Sequence, residues 1–143
     1  MLYDINPIIN TFKLLDDWES RYGYLIELGN ELEPLDEKFK TSKFKVSGCS
    51  SQVWLYPRWT EHNSKEVLDF VAASDAHIVK GLLLLTLAFY NGKTTQEALQ
   101  LNINDFLSEL NLQQNITQQR NNGIKAVVSK IQFFANTRLS NNK

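Results

Sequence analysis

Cysteine is nearly absent from this chain, with Cys49 alone among 143 residues. An intrachain disulfide is therefore impossible, and so is a metal or cluster site built only from the cysteines of one copy. A surplus of charge of one sign is missing too. Fifteen Lys and Arg stand against 16 Asp and Glu, a formal charge of −1, which leaves no basic excess to drive binding to phosphates or to an anionic bilayer. The longest uncharged apolar-rich stretch, Gly81 to Gly92, falls well short of the roughly 20 residues that cross a membrane. Met1-Leu2-Tyr3-Asp4-Ile5-Asn6 has neither the basic start nor the apolar run of a secretory signal. These gaps predict a cytoplasmic protein with neither nucleic acid nor membrane among its partners. Gly23, Gly29, Gly48, Gly81, Gly92 and Gly123 are scattered, without a dinucleotide or phosphate-loop motif, so no nucleotide is expected.

What is present is an ordinary globular composition. With 43% hydrophobic residues, the chain can bury one core, and its length predicts one domain over 1–143. Ile5, Ile8, Ile9, Phe12 and Leu15 recur at helical spacing, and Trp18, Tyr22, Leu25 and Ile26 form a second stripe. Asp16 with Glu19 suggests a capping box for the second helix, and Gly29-Asn30 a left-handed end. Glu31 to Thr41 reads as an irregular connection with one short turn. The period then changes: Val46 precedes the turn-prone Ser47-Gly48-Cys49-Ser50, and Ser51 to Tyr56 alternates as a strand. Pro57 to Ser64 reads as a polar loop, and Val67 to Ala72 as another strand. Ser74 looks like an N-cap with Asp75 in the first turn of a buried helix that Gly92 closes. Thr94 or Thr95 could cap a short helix, Ile103 to Leu110 another, and a last helix runs from about Asn121, with 136–143 expected to fray. The fold class expected is α+β, a three-stranded antiparallel sheet packed with helices at both chain ends.

Cys49 is the chemical focus. Free cysteines are commonly small buried hydrophobes, yet a thiol between Gly48 and Ser50 occupies a turn, and turns run over surfaces. From Val46 to Pro57 no residue is charged, so nothing adjacent in sequence lowers the thiol's pKa. A cysteine hydrolase would need His62 or His77, and the first falls in a polar loop while the second falls in a helix's first turn. Cys49, His62 and His77 lack the close ligand pairs of a zinc site, so no metal is expected. Asp75 reads as a helix-start carboxylate, and Arg120 as a solvated residue ahead of a helix.

Several runs in order are familiar: Trp18-Glu19-Ser20-Arg21-Tyr22-Gly23-Tyr24-Leu25-Ile26-Glu27-Leu28-Gly29, Gly48-Cys49-Ser50-Ser51-Gln52-Val53-Trp54, Ser74-Asp75-Ala76-His77-Ile78-Val79-Lys80-Gly81-Leu82, Tyr90-Asn91-Gly92-Lys93-Thr94 and Arg120-Asn121-Asn122-Gly123. Across nearly its whole length the chain resembles the SufE family of sulfur acceptor proteins, which includes the CsdE proteins. The resemblance implies a fold shared with iron–sulfur scaffolds of the IscU type. It implies a partner, a pyridoxal-phosphate cysteine desulfurase of SufS or CsdA kind, whose persulfide sulfur Cys49 accepts and passes toward an iron–sulfur scaffold. No cofactor of the chain's own is implied. Ser51 and Gln52 match the residues after the family's cysteine, and Asp75 and Arg120 match positions near the cysteine loop or the docking surface. Ser50 stands where many relatives carry Gln or Glu, and Thr117-Gln118-Gln119-Arg120 replaces the more usual Thr-Pro-Ser-Arg. Sulfur exchange needs access and alignment more than an acid–base pair, and a charge-free turn would shelter a persulfide. A regulator that docks without thiol chemistry, or a hydrolase using His62 or His77, stays open at this point.

Overall fold

The chain opens with two helices whose starts are set by aspartates. In the computed structural model, which describes residues 1–141, α1 spans Ile5–Leu14 and α2 spans Trp18–Gly29. The Asp4 carboxylate accepts the Asn6 N–H at 3.0 Å. Asp17, one residue later than the expected Asp16, accepts from the Ser20 backbone at 2.7 Å and its hydroxyl at 3.0 Å, which satisfies donors orphaned at the helix start. Asn30 is right-handed, with φ −72°, so no left-handed turn ends α2. The connection that follows holds one short 3₁₀ turn, Glu37–Phe39.

The β region is one long hairpin. Strands β1 (Val53–Tyr56) and β4 (Val71–Ser74) pair antiparallel, as do β2 (Trp59–His62) and β3 (Lys65–Leu68). Both ladders share one register, from Val53 opposite Ser74 to His62 opposite Lys65. The segment expected to be a polar loop from Pro57 is therefore β2 and the hairpin tip, and the expected strand Val67 to Ala72 divides between β3 and β4. Asn63 and Ser64 turn the tip with φ of 52° and 65°, the paired left-handed geometry that matches strand twist. A third extended segment lies beside β1: Leu55 donates to the Phe44 carbonyl at 2.8 Å and Val46 to the Val53 carbonyl at 2.9 Å. Pro57 faces that same edge two residues on, so its missing N–H costs no bond to β4. On the opposite edge the Asn91 side chain takes both backbone groups of Phe70, at 2.9 and 3.0 Å.

Helix α3, His77–Tyr90, is the core element, with ten of its 14 residues buried. Its start differs from expectation. Ser74 ends β4, Ala76 occupies the cap position without a side-chain bond, and Asp75 lies in the bend ahead of the helix, exposed. Gly29 and Gly81 let α2 and α3 meet backbone to backbone, since a Cβ on Gly81 would strike the Leu25 carbonyl. Thr94 and Glu97 form a full capping box on α4, Thr95–Gln100, and α5 follows at Ile103–Glu109. Helix α6 runs Gln118–Asn141, so residues 136–141 of the tail are helical, and positions 142 and 143 lie outside the described residues. Arg138 ties α6 to the hairpin by two bonds to Glu66, at 2.9 and 2.7 Å. At the hairpin's middle Arg58 grips Glu33 at 2.7 and 2.8 Å and Asp69 at 3.1 Å, and these bonds hold the Glu33 carboxyl down to about 2. No helix among the described residues is long and apolar enough to cross a membrane.

Candidate functional site

The thiol sits where the sheet's edge crosses to its central strand. Val46 and Val53 are hydrogen-bonded neighbours, so residues 47–52 must loop out between them, and Gly48 supplies the left-handed turn with φ +94°. That turn lays the loop against α6. A Cβ on Gly48 would stand 3.3 Å from the Ala126 Cβ, and one on Gly123 would stand 3.7 Å from the Cys49 Sγ. The thiol points its S–H at the Gly123 carbonyl, at an S···O distance of 3.8 Å.

Cys49 is half-buried on the wall of a cavity of about 40 Å³, above the 10–15 Å³ that a water-sized group requires. Val53 from β1, Val79, Leu82, Leu83 and Thr86 from α3, and Ile124 and Val127 from α6 form most of its wall. The Thr86 hydroxyl is spent on the Leu82 carbonyl at 2.8 Å, so the wall is apolar in effect. Burial in these surroundings pushes the Cys49 thiol above its ordinary value, because a thiolate loses solvation there. The resting state is a protonated, weakly nucleophilic thiol.

Of the residues singled out with Cys49, Ser51 and Arg120 line the cavity, as do Ser50 and Gln119. Gln52 and Asp75 are exposed and do not line it. Arg120 lies in the first turn of α6, not ahead of it, because Thr117 accepts the Arg120 N–H at 3.2 Å and caps the helix without the proline of the usual pattern. It is the one charged side chain on the cavity wall, and its guanidinium rests over the Tyr22 ring at 5.7 Å, 3.4 Å from the hydroxyl. Tyr22 and Gly123 escaped the reading of the sequence as site residues. Gly123 left a signal, since a glycine within a helix costs stability and so points to a use for the space it leaves. His62 closes β2 and His77 opens α3, both exposed and neither on the cavity wall. Among the described residues no three His, Cys, Asp or Glu side chains gather to hold a metal ion.

The model of the SufE Fe-S metabolism associated domain matches residues 6–135. The chain belongs to the SufE family. A SufE-like protein of Rhizobium etli is 41% identical over 134 residues, covering 94% of this chain and 90% of that one. A SufE-like protein of Rhizobium meliloti is 39% identical over 135 residues, covering 94% and 96%. The solution structure of a hypothetical protein from Thermus thermophilus superposes with a TM-score of 0.69 at 20% identity, covering 95% of this chain and 96% of that one, which speaks for a shared fold. The α+β class expected from the sequence holds for this SufE-family protein, whose domain is associated with iron–sulfur metabolism.

Proposed function

We propose that this protein is a cytoplasmic sulfur acceptor that takes persulfide sulfur onto Cys49 from a cysteine desulfurase, stimulates that enzyme, and delivers the sulfur to iron–sulfur cluster assembly. One observation carries the reading: the sole thiol borders an apolar cavity with spare volume and no general base on its wall. Membership of the SufE family supports it. A hydrolase would need a base at the thiol, whereas an acceptor needs room for one more atom.

The transfer is an exchange between sulfurs. The Cys49 thiolate attacks the outer sulfur of the desulfurase persulfide, a new S–S bond forms on Cys49, and the desulfurase S–S bond breaks. The desulfurase cysteine leaves as a thiolate and regains a proton, with no net oxidation. Because burial keeps the resting thiol protonated, docking must draw the loop from α6 before attack. Arg120 is placed to accompany the anion, since it is charged, borders the cavity and is held by Tyr22 rather than by a carboxylate. Ser51 supports the loop from inside, and Gln52 and Asp75 face outward, where a partner can touch them.

The test mixes the protein with a SufS-type desulfurase and cysteine and weighs it intact. The expected result is a gain of one sulfur atom that dithiothreitol removes and Cys49→Ser abolishes, with the variant's melting temperature unchanged. Full stimulation of the desulfurase by Cys49→Ser would replace this reading with docking alone.

A further inference from the structure

The connection between α2 and the thiol loop contributes nothing to the cavity, yet it concentrates charge. Lys38, Lys40, Lys43 and Lys45 are four of the chain's 15 basic residues within eight positions. Three lie over aromatic rings: Lys38 over Phe39 at 5.1 Å, Lys43 over Phe44 at 5.4 Å and Lys40 over Trp54 at 5.9 Å. The rings support one another, with Phe39 stacked on Tyr56 at 4.0 Å and Phe44 edge-on to both, at 6.0 and 5.1 Å. Glu37 pairs with Lys40 at 2.7 Å. Lys38, Lys43 and Lys45 are exposed, and among the described residues none of them has a carboxylate within ion-pair reach. The strip runs along the sheet's outer edge, where Lys45 bridges to Trp54, and continues directly into the uncharged loop of Cys49.

We propose that this lysine–aromatic strip is a docking face for an acidic surface of the cysteine desulfurase. The inference rests on the sulfur-acceptor reading above and adds to it the partner's chemistry beside the persulfide. A protein interface joins an uncharged centre to a polar, charged rim. The uncharged loop of residues 47–52 provides the first, and the strip provides the second. Charge complementarity at a rim speeds encounter and fixes orientation, which is what a thiol that must meet one sulfur atom requires. Nucleic acid fits less well. The chain as a whole has no basic excess, 15 basic residues against 16 acidic, and Phe39, with Tyr56 stacked on it and Lys38 over it, offers no open face to a base.

Lysines on a sheet edge also guard against strand-to-strand aggregation, and reversing the charge separates the two roles because a glutamate guards equally well. The triple variant Lys38→Glu, Lys43→Glu, Lys45→Glu is titrated into a SufS-type desulfurase with cysteine, following both stimulation and sulfur on Cys49. The expected concentration for half-maximal loading rises about tenfold at low salt, converges with the parent near ~0.5 M salt, and reaches the same maximal loading. The Lys→Gln triple variant lies between the two, and both variants melt as the parent does. Equal half-maximal concentrations in parent and variant overturn the docking face and leave the acceptor reading standing. Failure of the parent itself to load sulfur overturns both. Loss in the variant of tight binding to a labelled single-stranded RNA would assign the strip to nucleic acid instead.

Discussion

Glycine seats two helices in this protein, to opposite tolerances. At Gly81 the backbones of α2 and α3 touch, and a methyl group there would collide with the Leu25 carbonyl, which cannot move without unwinding α2. At Gly123 the equivalent methyl would stand 3.7 Å from the Cys49 Sγ, an ordinary contact. The first glycine fixes a core, whereas the second leaves a slack fit between a helix and a loop. A small residue therefore signals rigidity or freedom according to what lies opposite it, backbone or a single side chain at the tip of a turn.

Three measurements test that contrast. Gly81→Ala carries the largest effect, a loss of about 3 kcal/mol or no folded protein at all, since overpacking against backbone has no relaxed alternative; urea denaturation measures it, and a loss below about 1 kcal/mol would show that α2 and α3 can slide. Next comes the pH profile of Cys49 alkylation. Burial holds the thiol above its ordinary value, so the thiolate fraction and the rate with iodoacetamide are still climbing with pH above pH 8. A plateau near pH 7 would reveal an activating charge on the loop. The smallest effect, and the most telling, is Gly123→Ala. It gains about 0.5–1 kcal/mol by replacing a mid-helix glycine, yet it takes up the space beside the thiol, so sulfur loading by a desulfurase falls several-fold in the more stable protein. Unchanged loading would mean that the slack has no use.

The sequence made most helices legible because their apolar stripes are regular, as at Ile8 and Phe12 of α1 or the long apolar run of α3. It made the cysteine loop legible because Gly48 and three serines interrupt an alternating strand. Strand β2 was hidden: Trp59, Thr60, Glu61 and His62 are half-buried or exposed, so no face of the strand alternates. The start of α3 was misread because Ser74 offers a capping hydroxyl, but pairing opposite Val53 holds it in β4. Arg120 is singled out by the family resemblance alone, and its contact with Tyr22 was hidden for a different reason. Arg120 and Tyr22 lie 98 positions apart, and no local pattern announces that a side chain of α2 holds the one charge on the cavity wall.

Because one register runs from the thiol loop to Asn63-Ser64, the hairpin works like a ruler whose zero mark is at its far tip. A change at that turn that slips the pairing by one residue would shift every cross-strand partner and turn the inward side chains of one strand outward. The reactive sulfur would thus lose its bearings through an edit roughly 30 Å away along the strand, at about 3.3 Å per residue.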